Sequence, residues 1–139
     1  MTDPHTSDLT DADRAHNLYE NGRTLMGAGD LERAIQAFSD SVAIYPHFKC
    51  LEPMGECLLA LGHSTQAVVP LAAAATLNRQ VRAPSLLAQA LLNIGEYRRA
   101  AELATSVLAS SPGNRVAQAV LANPSVQQAL HALTDDGTA

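Results

Sequence analysis

Three glycines recur at intervals of 33 residues in this chain, and each is followed five residues later by an alanine. A fixed period of this length is typical of a solenoid, in which each supersecondary unit buries its apolar face by stacking on a copy of itself. The pattern therefore predicts a single domain built from repeats. The glycines are Gly29, Gly62 and Gly95, and the alanines are Ala34, Ala67 and Ala100.

The composition favours helices as the repeated element. Hydrophobic residues make up 47% of the 139 residues, which is enough for a continuous core. Aromatic residues contribute only 4% and tryptophan is absent, whereas alanine and leucine are abundant. Since β-sandwiches depend on β-branched and aromatic side chains, we predict an all-α fold.

Each repeat is predicted to be a helical hairpin. In the first unit, one apolar stripe with helical spacing precedes Gly29, and a second stripe follows it as far as Pro46. Gly29 is expected to take the left-handed conformation that closes a helix, and Asp30 to accept hydrogen bonds from the first amides of the next helix. The two stripes contain Leu18, Gly22 and Leu25, then Ala34, Ile35, Phe38 and Val42.

These positions resemble the tetratricopeptide repeat (TPR) family over about residues 15–113. The two-helix unit of that family has a small residue within its first helix, another small residue early in its second helix, a bulky residue four positions later and then a proline. The resemblance implies a right-handed α-solenoid of three helix-turn-helix hairpins with a C-terminal cap, acting as a binding scaffold. The matching residues are Gly22, Gly55 and Ala88 in the first helices, and Ala34, Phe38 and Pro46 in the first unit.

The predicted domain is a single unit over residues 11–134. Thr10 and Asp13 form the pattern of a capping box, which places the first helix start near Asp11. Apolar residues of the last segment are expected to cover the open end of the solenoid. The predicted segments are a disordered tail 1–10, repeats 15–47, 48–80 and 81–113, a cap 114–134 and a disordered tail 135–139.

The charge and the cysteine content limit the kinds of partner and the compartment that we expect. The formal net charge of -5 argues against nucleic acid as a partner, because phosphates require a basic surface. The chain shows no targeting signal and no apolar stretch long enough to cross a membrane. Cys50 and Cys57 are too far apart on one helix to form a disulfide, which favours a reducing cytoplasm.

No set of residues predicts catalysis, so the chain is not expected to be an enzyme. The segment 27–29 has two glycines of a dinucleotide fingerprint, but Glu32 replaces the third, and helix capping is the preferred interpretation. The five histidines lack metal-ligand spacing, and Cys57 is expected to be a small buried apolar group. We therefore predict no cofactor and no metal site.

A binding groove is expected where the first helices of the hairpins line the concave surface. Its side chains mix apolar and hydrogen-bonding groups, which suits an extended peptide. They are predicted to be Tyr19, Arg23 and Met26 on the first helix of unit one, Glu52 and Glu56 on that of unit two, and Ser85, Gln89 and Asn93 on that of unit three.

One groove position carries a basic or potentially basic residue in every unit and in the cap. At a helix N-terminus a cation meets the unfavourable end of the helix dipole, which suggests that another group compensates for it. Two interpretations stay open: a basic edge for an acidic peptide or a C-terminal carboxylate, or a chance run of solvated side chains. The residues are His16, Lys49, Arg82 and Arg115, again 33 apart.

The predicted function is that of a cytoplasmic adaptor, monomeric or weakly dimeric, that binds a protein or peptide partner without chemistry. TPR proteins that hold acidic chaperone tails use a clamp of Lys, Asn and Arg residues. Of the corresponding positions here, which are Tyr19, Arg23, Pro53, Arg82 and Leu86, only Arg82 matches, so that ligand is not expected in its usual mode. The alternative is a chaperone of type III secretion translocators, whose layout is similar around Gly55, Cys57 and Pro84.

Overall fold

Eight α-helices form the part of the chain that the computed structural model describes, residues 9–78 and 80–137. No strand occurs within these ranges, which confirms the all-α prediction. The helices are α1 (Asp11–Gly27), α2 (Leu31–Ile44), α3 (Phe48–Ala60), α4 (Ser64–Leu77), α5 (Arg82–Asn93), α6 (Tyr97–Ser110), α7 (Arg115–Ala122) and α8 (Pro124–Gly137).

The helices pack as three successive hairpins followed by a cap. Each helix from α1 to α6 packs on the next one along the chain, and α7 and α8 both pack on α6. In addition, α1 contacts α3, α3 contacts α5, and α5 contacts α7. The first helices of successive units therefore lie side by side, which is the arrangement that forms the inner wall of a helical solenoid.

The three periodic glycines close the first helix of each hairpin. At the first of them, the N–H of Gly29 donates to the carbonyl of Met26 at 3.0 Å, and the N–H of Asp30 donates to the carbonyl of Leu25 at 2.9 Å. This pair of bonds is a Schellman motif, and it requires positive φ at the glycine. The same two bonds recur in the next two units, with φ of 80°, 82° and 85° at Gly29, Gly62 and Gly95.

A complementary pair of residues sits between the two helices of each hairpin. In the first unit, a Cβ added at Gly22 would lie 2.6 Å from Cε1 of the Phe38 ring, so the ring packs directly on the helix backbone. The second unit pairs a glycine with a smaller side chain, and the third pairs two alanines. The three pairs are Gly22 with Phe38, Gly55 with Leu71, and Ala88 with Ala104, which share one core cluster, and all six residues are buried.

The first helix starts where the sequence predicts it. The Thr10 side chain accepts from the N–H of Asp13 at 3.1 Å, and the Asp13 carboxylate accepts from the N–H of Thr10 at 3.2 Å. This capping box starts α1 at Asp11 as expected. The predicted tail 1–10 lies outside the described residues, except for Leu9 and Thr10.

The last helix extends beyond the predicted cap. Helix α8 continues to Gly137, three residues beyond the predicted end of the cap at residue 134. No glycine or proline interrupts the helix between Pro124 and Gly137, which explains the extension. Residues 138 and 139 lie outside the described part.

The cap prediction is confirmed. Val120 of α7 and Val126 of α8 are fully buried, and Val120 belongs to the same apolar cluster as α5 and α6 residues. Arg115, Gln127 and Gln128 are exposed, as expected for the outward face of a terminal helix pair.

Candidate functional site

An open groove with a volume of about 650 Å³ lies between α1, α3 and the start of α5. We call it the inner groove. Seven of the twelve predicted binding residues line it, so the structure brings together most of the predicted set. They are Tyr19, Arg23, Met26, Lys49, Glu52, Glu56 and Arg82, and Gly27, Pro53, Asn78 and Gln80 complete the lining.

Arg82 links α5 to α3 through two ion pairs. Its Nε lies 2.8 Å from Oε1 of Glu52, and its Nη2 lies 2.6 Å from Oε2 of Glu56. The two carboxylates are one helical turn apart on α3, so one guanidinium can reach both. The hydrogen bond that Arg82 donates to Glu56, together with the charges of both carboxylates, raises the pKa of Arg82 above its ordinary value. The two carboxylates offset the unfavourable interaction between this cation and the positive end of the α5 dipole.

The periodic basic positions do not form a uniform basic edge. Lys49, Arg82 and Arg115 lie in the first turns of α3, α5 and α7, as the sequence predicted. However, Arg82 is held by two glutamates, and Arg115 does not line the inner groove. The hypothesis of an unbroken basic edge is therefore corrected to positive charge concentrated between α1 and α3.

Two cations of the inner groove remain available to a ligand. Among the described residues, neither Arg23 nor Lys49 forms an ion pair. The guanidinium of Arg23 lies 5.9 Å from the centroid of the Tyr19 ring, a cation–π distance. The lining carries three cations, Arg23, Lys49 and Arg82, and two carboxylates, so its net charge is +1. Both carboxylates pair with Arg82, so the unpaired positive charge lies at Arg23 on α1 and at Lys49 in the first turn of α3.

A second, smaller pocket of about 270 Å³ adjoins the inner groove at the N-terminal ends of α1 and α3. We call it the aromatic pocket. Its Tyr19 and His47 rings meet edge to face at 5.9 Å between centroids, and His16 and Tyr45 extend this cluster at 6.3 Å each. The lining consists of Ala12, Ala15, His16, Tyr19, Tyr45, His47 and Lys49.

His47 anchors the linker between the first two hairpins. The Ser41 hydroxyl donates to the Ala15 carbonyl at 2.6 Å and thereby joins α2 to α1. Nε2 of His47 lies 3.4 Å from that Ser41 oxygen and 3.3 Å from Sγ of the buried Cys50. These contacts fix the imidazole at the wall of the aromatic pocket.

The His47 side chain favours the neutral state. Partial burial, reinforced by the charges of Lys49 and His16, lowers the pKa of His47 below its ordinary value. The folded protein then binds fewer protons than the unfolded chain at mildly acidic pH, so the free energy of unfolding falls as the pH drops through about 6.5. The pKa of Asp13 is also lowered, by its hydrogen bonds to Thr10, but that carboxyl titrates at lower pH.

We expect acidification from about pH 7.5 to about pH 5.5 to lower Tm less in His47→Gln than in the wild-type protein, because glutamine keeps a polar group but cannot gain a proton. Thermal melts followed by circular dichroism at both pH values measure this difference. His63→Gln, at an exposed position, is the matched control and should retain the wild-type pH dependence. Equal pH dependence in His47→Gln and the wild-type protein would contradict the role assigned to His47.

Five predicted binding residues lie outside the inner groove. Ser85 was expected to be exposed there and is instead 3% exposed, with its hydroxyl donating to the Arg82 carbonyl at 2.7 Å. Ser85 lies on the side of α5 that packs on its neighbours, and its hydroxyl bonds back to a carbonyl of its own helix. His16 lines the aromatic pocket; Gln89, Asn93 and Arg115 line neither cavity.

Gln89 and Asn93 face a different neighbour from the one expected. Gln89 donates to Oδ1 of Asn93 at 2.8 Å, and Asn93 donates to the Ser64 hydroxyl at the start of α4 at 3.0 Å. This chain of hydrogen bonds joins the second hairpin to the third.

Sequence reasoning missed the linker contributions to both cavities. Tyr45 and His47 flank Pro46 between the first two units, and Asn78 and Gln80 lie between the second and third. Linker residues have no helical period, so periodicity does not reveal them. The equivalent place of the two linkers in successive repeats is the signal that could have identified them.

The two cysteine thiols are buried in the core. Cys50 and Cys57 are buried and unpaired, and desolvation raises the pKa of both thiols. In residues 9–78 and 80–137, no three His, Cys, Asp or Glu side chains come together as metal ligands. None of the described helices combines the length and the hydropathy that a membrane span requires.

Comparison with known proteins identifies the fold. No family model matches this sequence, and no curated protein matches it either. Among solved structures, the first TPR domain of Spaghetti (RPAP3), bound to the HSP90 peptide SRMEEVD, is 22% identical with a TM-score of 0.76, over 86% of this chain and 95% of that one. The second TPR domain of human RPAP3, in complex with the HSP70 peptide SGPTIEEVD, is 20% identical with a TM-score of 0.74, over 81% and 95%.

A third similar structure is the Sgt2 TPR domain from Aspergillus fumigatus, which is 17% identical with a TM-score of 0.72, over 87% of this chain and 82% of that one. At these identities the likeness concerns the fold. The chain therefore has a TPR-like fold, and the α-solenoid predicted from the 33-residue period is confirmed.

Proposed function

We propose that this protein is an adaptor that binds an extended segment of a partner protein in its inner groove and performs no chemistry. The observation that carries the proposal is the open groove on α1, α3 and α5, with Arg23 and Lys49 unpaired among the described residues. A concave wall with an aromatic ring and unpaired cations can hold a peptide backbone and an acidic side chain.

The similar structures support a peptide ligand. Two of them hold chaperone peptides that end in Glu-Glu-Val-Asp. In this chain the clamp known from such TPR proteins is represented by Arg82, and Glu52 and Glu56 already occupy that guanidinium. We therefore propose an acidic peptide bound nearer to Lys49 and Arg23, rather than a chaperone tail held in the usual way.

The proposed compartment is the cytoplasm, since two unpaired, buried thiols fit a reducing environment. A chaperone for a secretion substrate would use the same groove to hold one dedicated client. That alternative differs from the adaptor in the partner and not in the site, so the test below addresses the groove that both require.

The test is selection of binders from a phage-displayed library of random linear peptides, followed by fluorescence anisotropy with the enriched peptides. We expect the double variant Arg23→Glu/Lys49→Glu to bind them at least about tenfold more weakly than the wild-type protein, since like charges replace opposite ones at the contact. The matched control is Arg98→Glu/Arg99→Glu, the same charge change at two exposed positions of α6.

Undiminished binding by the groove variant, or a failure to enrich any peptide, would refute the proposed function. A loss of affinity in the α6 control as large as in the groove variant would also refute it, because binding would then follow net charge and not the groove.

A further inference from the structure

We infer that the aromatic pocket receives one bulky apolar side chain of the bound segment, while Lys49 and Arg23 pair with a carboxylate next to it. The ligand class is thus a linear peptide with a large apolar residue beside an aspartate or glutamate. This inference rests on the proposed function, because it specifies which peptides the groove accepts.

The two cavities adjoin each other. Tyr19 and Lys49 line both, so a chain that follows the inner groove toward the N-terminus of α3 reaches the aromatic pocket without leaving the protein surface. A pocket of about 270 Å³ has room for one large side chain. Aromatic pockets of this kind, beside a polar groove, are where interfaces place their anchor residues.

The walls of the aromatic pocket favour an apolar occupant. Two tyrosine rings, two imidazoles and the methyl groups of Ala12 and Ala15 form them. Tyr19 is supported from below by the buried Phe38, at 6.2 Å between ring centroids, and His47 is held by its contacts to Ser41 and Cys50. With two of its rings held in place, the pocket binds an apolar side chain at a lower cost in conformational entropy.

A cationic side chain is disfavoured in the same pocket. Aromatic cages can bind cations through the faces of their rings. Among the residues that the structure describes, no aspartate or glutamate contributes to the lining, whereas Lys49 does. A lysine or arginine from a ligand would therefore meet positive charge without a counter-ion.

Charge complementarity places the acidic residue of the ligand next to the apolar one. Lys49 lies at the junction of the two cavities, and Arg23 lies one helical turn beyond Tyr19 along α1. The far side of the inner groove is closed to anions, because Glu52 and Glu56 face it and hold Arg82. A carboxylate is consequently favoured at the boundary with the aromatic pocket.

The test has two parts. The selected peptides are sequenced, and the affinities of one double-mutant cycle between peptide and protein are then measured. We expect enrichment of Phe, Tyr, Trp, Leu, Ile or Met directly beside Asp or Glu, compared with the unselected library. For an enriched peptide, replacing its apolar residue with alanine should weaken binding to the wild-type protein about tenfold, as for a buried anchor residue. In Tyr45→Ser the same replacement should change the affinity by less than about threefold, because the outer ring that encloses the apolar side chain is gone.

Leu77→Ser provides the matched control, since Leu77 is 57% exposed and Tyr45 is 56% exposed, so neither change disturbs the core. The control should retain the full tenfold dependence on the apolar residue of the peptide. Peptides that bind the inner groove, as judged by the Arg23→Glu/Lys49→Glu variant, yet lack the apolar and acidic pair would overturn this inference and leave the proposed function standing. Equal peptide dependence in Tyr45→Ser and the wild-type protein would overturn it as well.

Discussion

Replacing Phe38 with alanine is expected to lower the free energy of unfolding by about 3 to 5 kcal/mol, the usual loss for a buried phenylalanine. The ring is 0% exposed, packs against the backbone of α1 at Gly22 and supports Tyr19 of the inner groove. Because Gly22 has no side chain to move into the space, the cavity cannot be filled from the opposite helix.

Urea denaturation followed by circular dichroism measures this loss. Val69→Ala is the control, since Val69 is 73% exposed on α4 and its truncation should change stability by less than about 0.5 kcal/mol. A Phe38→Ala protein destabilised by less than about 1 kcal/mol would show that the first hairpin does not depend on the ring in the way described.

The effect of Gly55→Ala on the free energy of unfolding is expected to change sign with the residue at position 71. In the wild-type protein the new Cβ would overlap the Leu71 side chain, so overpacking of about 1 to 3 kcal/mol exceeds the gain of about 1 kcal/mol from helix propensity. In a Leu71→Ala background, itself destabilised by about 2 to 5 kcal/mol, the overlap is absent and Gly55→Ala should stabilise by about 1 kcal/mol.

The third hairpin explains why the double variant is expected to fold. Its equivalent positions are Ala88 and Ala104, both fully buried, so an alanine pair already occurs at this place in the fold. A urea-denaturation cycle over the wild-type protein, the two single variants and the double variant gives the coupling between the positions. Stabilisation by Gly55→Ala in the wild-type background, or additive effects, would contradict the proposed pairing.

Most of the fold could be predicted from the sequence because the signals that define it are local and repeated. Gly29 closes its helix through backbone geometry, and Thr10 caps α1 through a neighbour three residues away, so each is recognisable without knowledge of distant contacts. The order in which the hairpins stack followed from the 33-residue period. The end of α8 could not be predicted, because a helix end without a glycine, proline or capping residue leaves no local mark before Gly137.

The sequence could predict which helix face each candidate site residue lies on, but not which residues of other helices it contacts. The sequence placed Arg82 on the groove side, whereas its partners Glu52 and Glu56 belong to another helix and depend on the angle between α3 and α5. Ser85 has the same helical phase as a groove residue, yet it is buried where α5 packs on its neighbours.

The aromatic pocket combines helix and linker residues, and a helical period cannot reveal that combination. Tyr45 and His47 lie in the linker between α2 and α3, and Tyr19 lies on α1. Their proximity arises from the stacking of the first two hairpins, which brings the linker to the N-terminal half of α1.

The central claim is that the concave wall holds the partner, and a titration of the ¹⁵N-labelled protein with a selected peptide, followed by amide chemical shifts, tests it most directly. We expect the largest shift changes on α1 and α3 around Tyr19, Arg23, Lys49 and Glu56. Changes concentrated on the opposite surface, around Val69 of α4, with the inner groove unaffected, would contradict the claim.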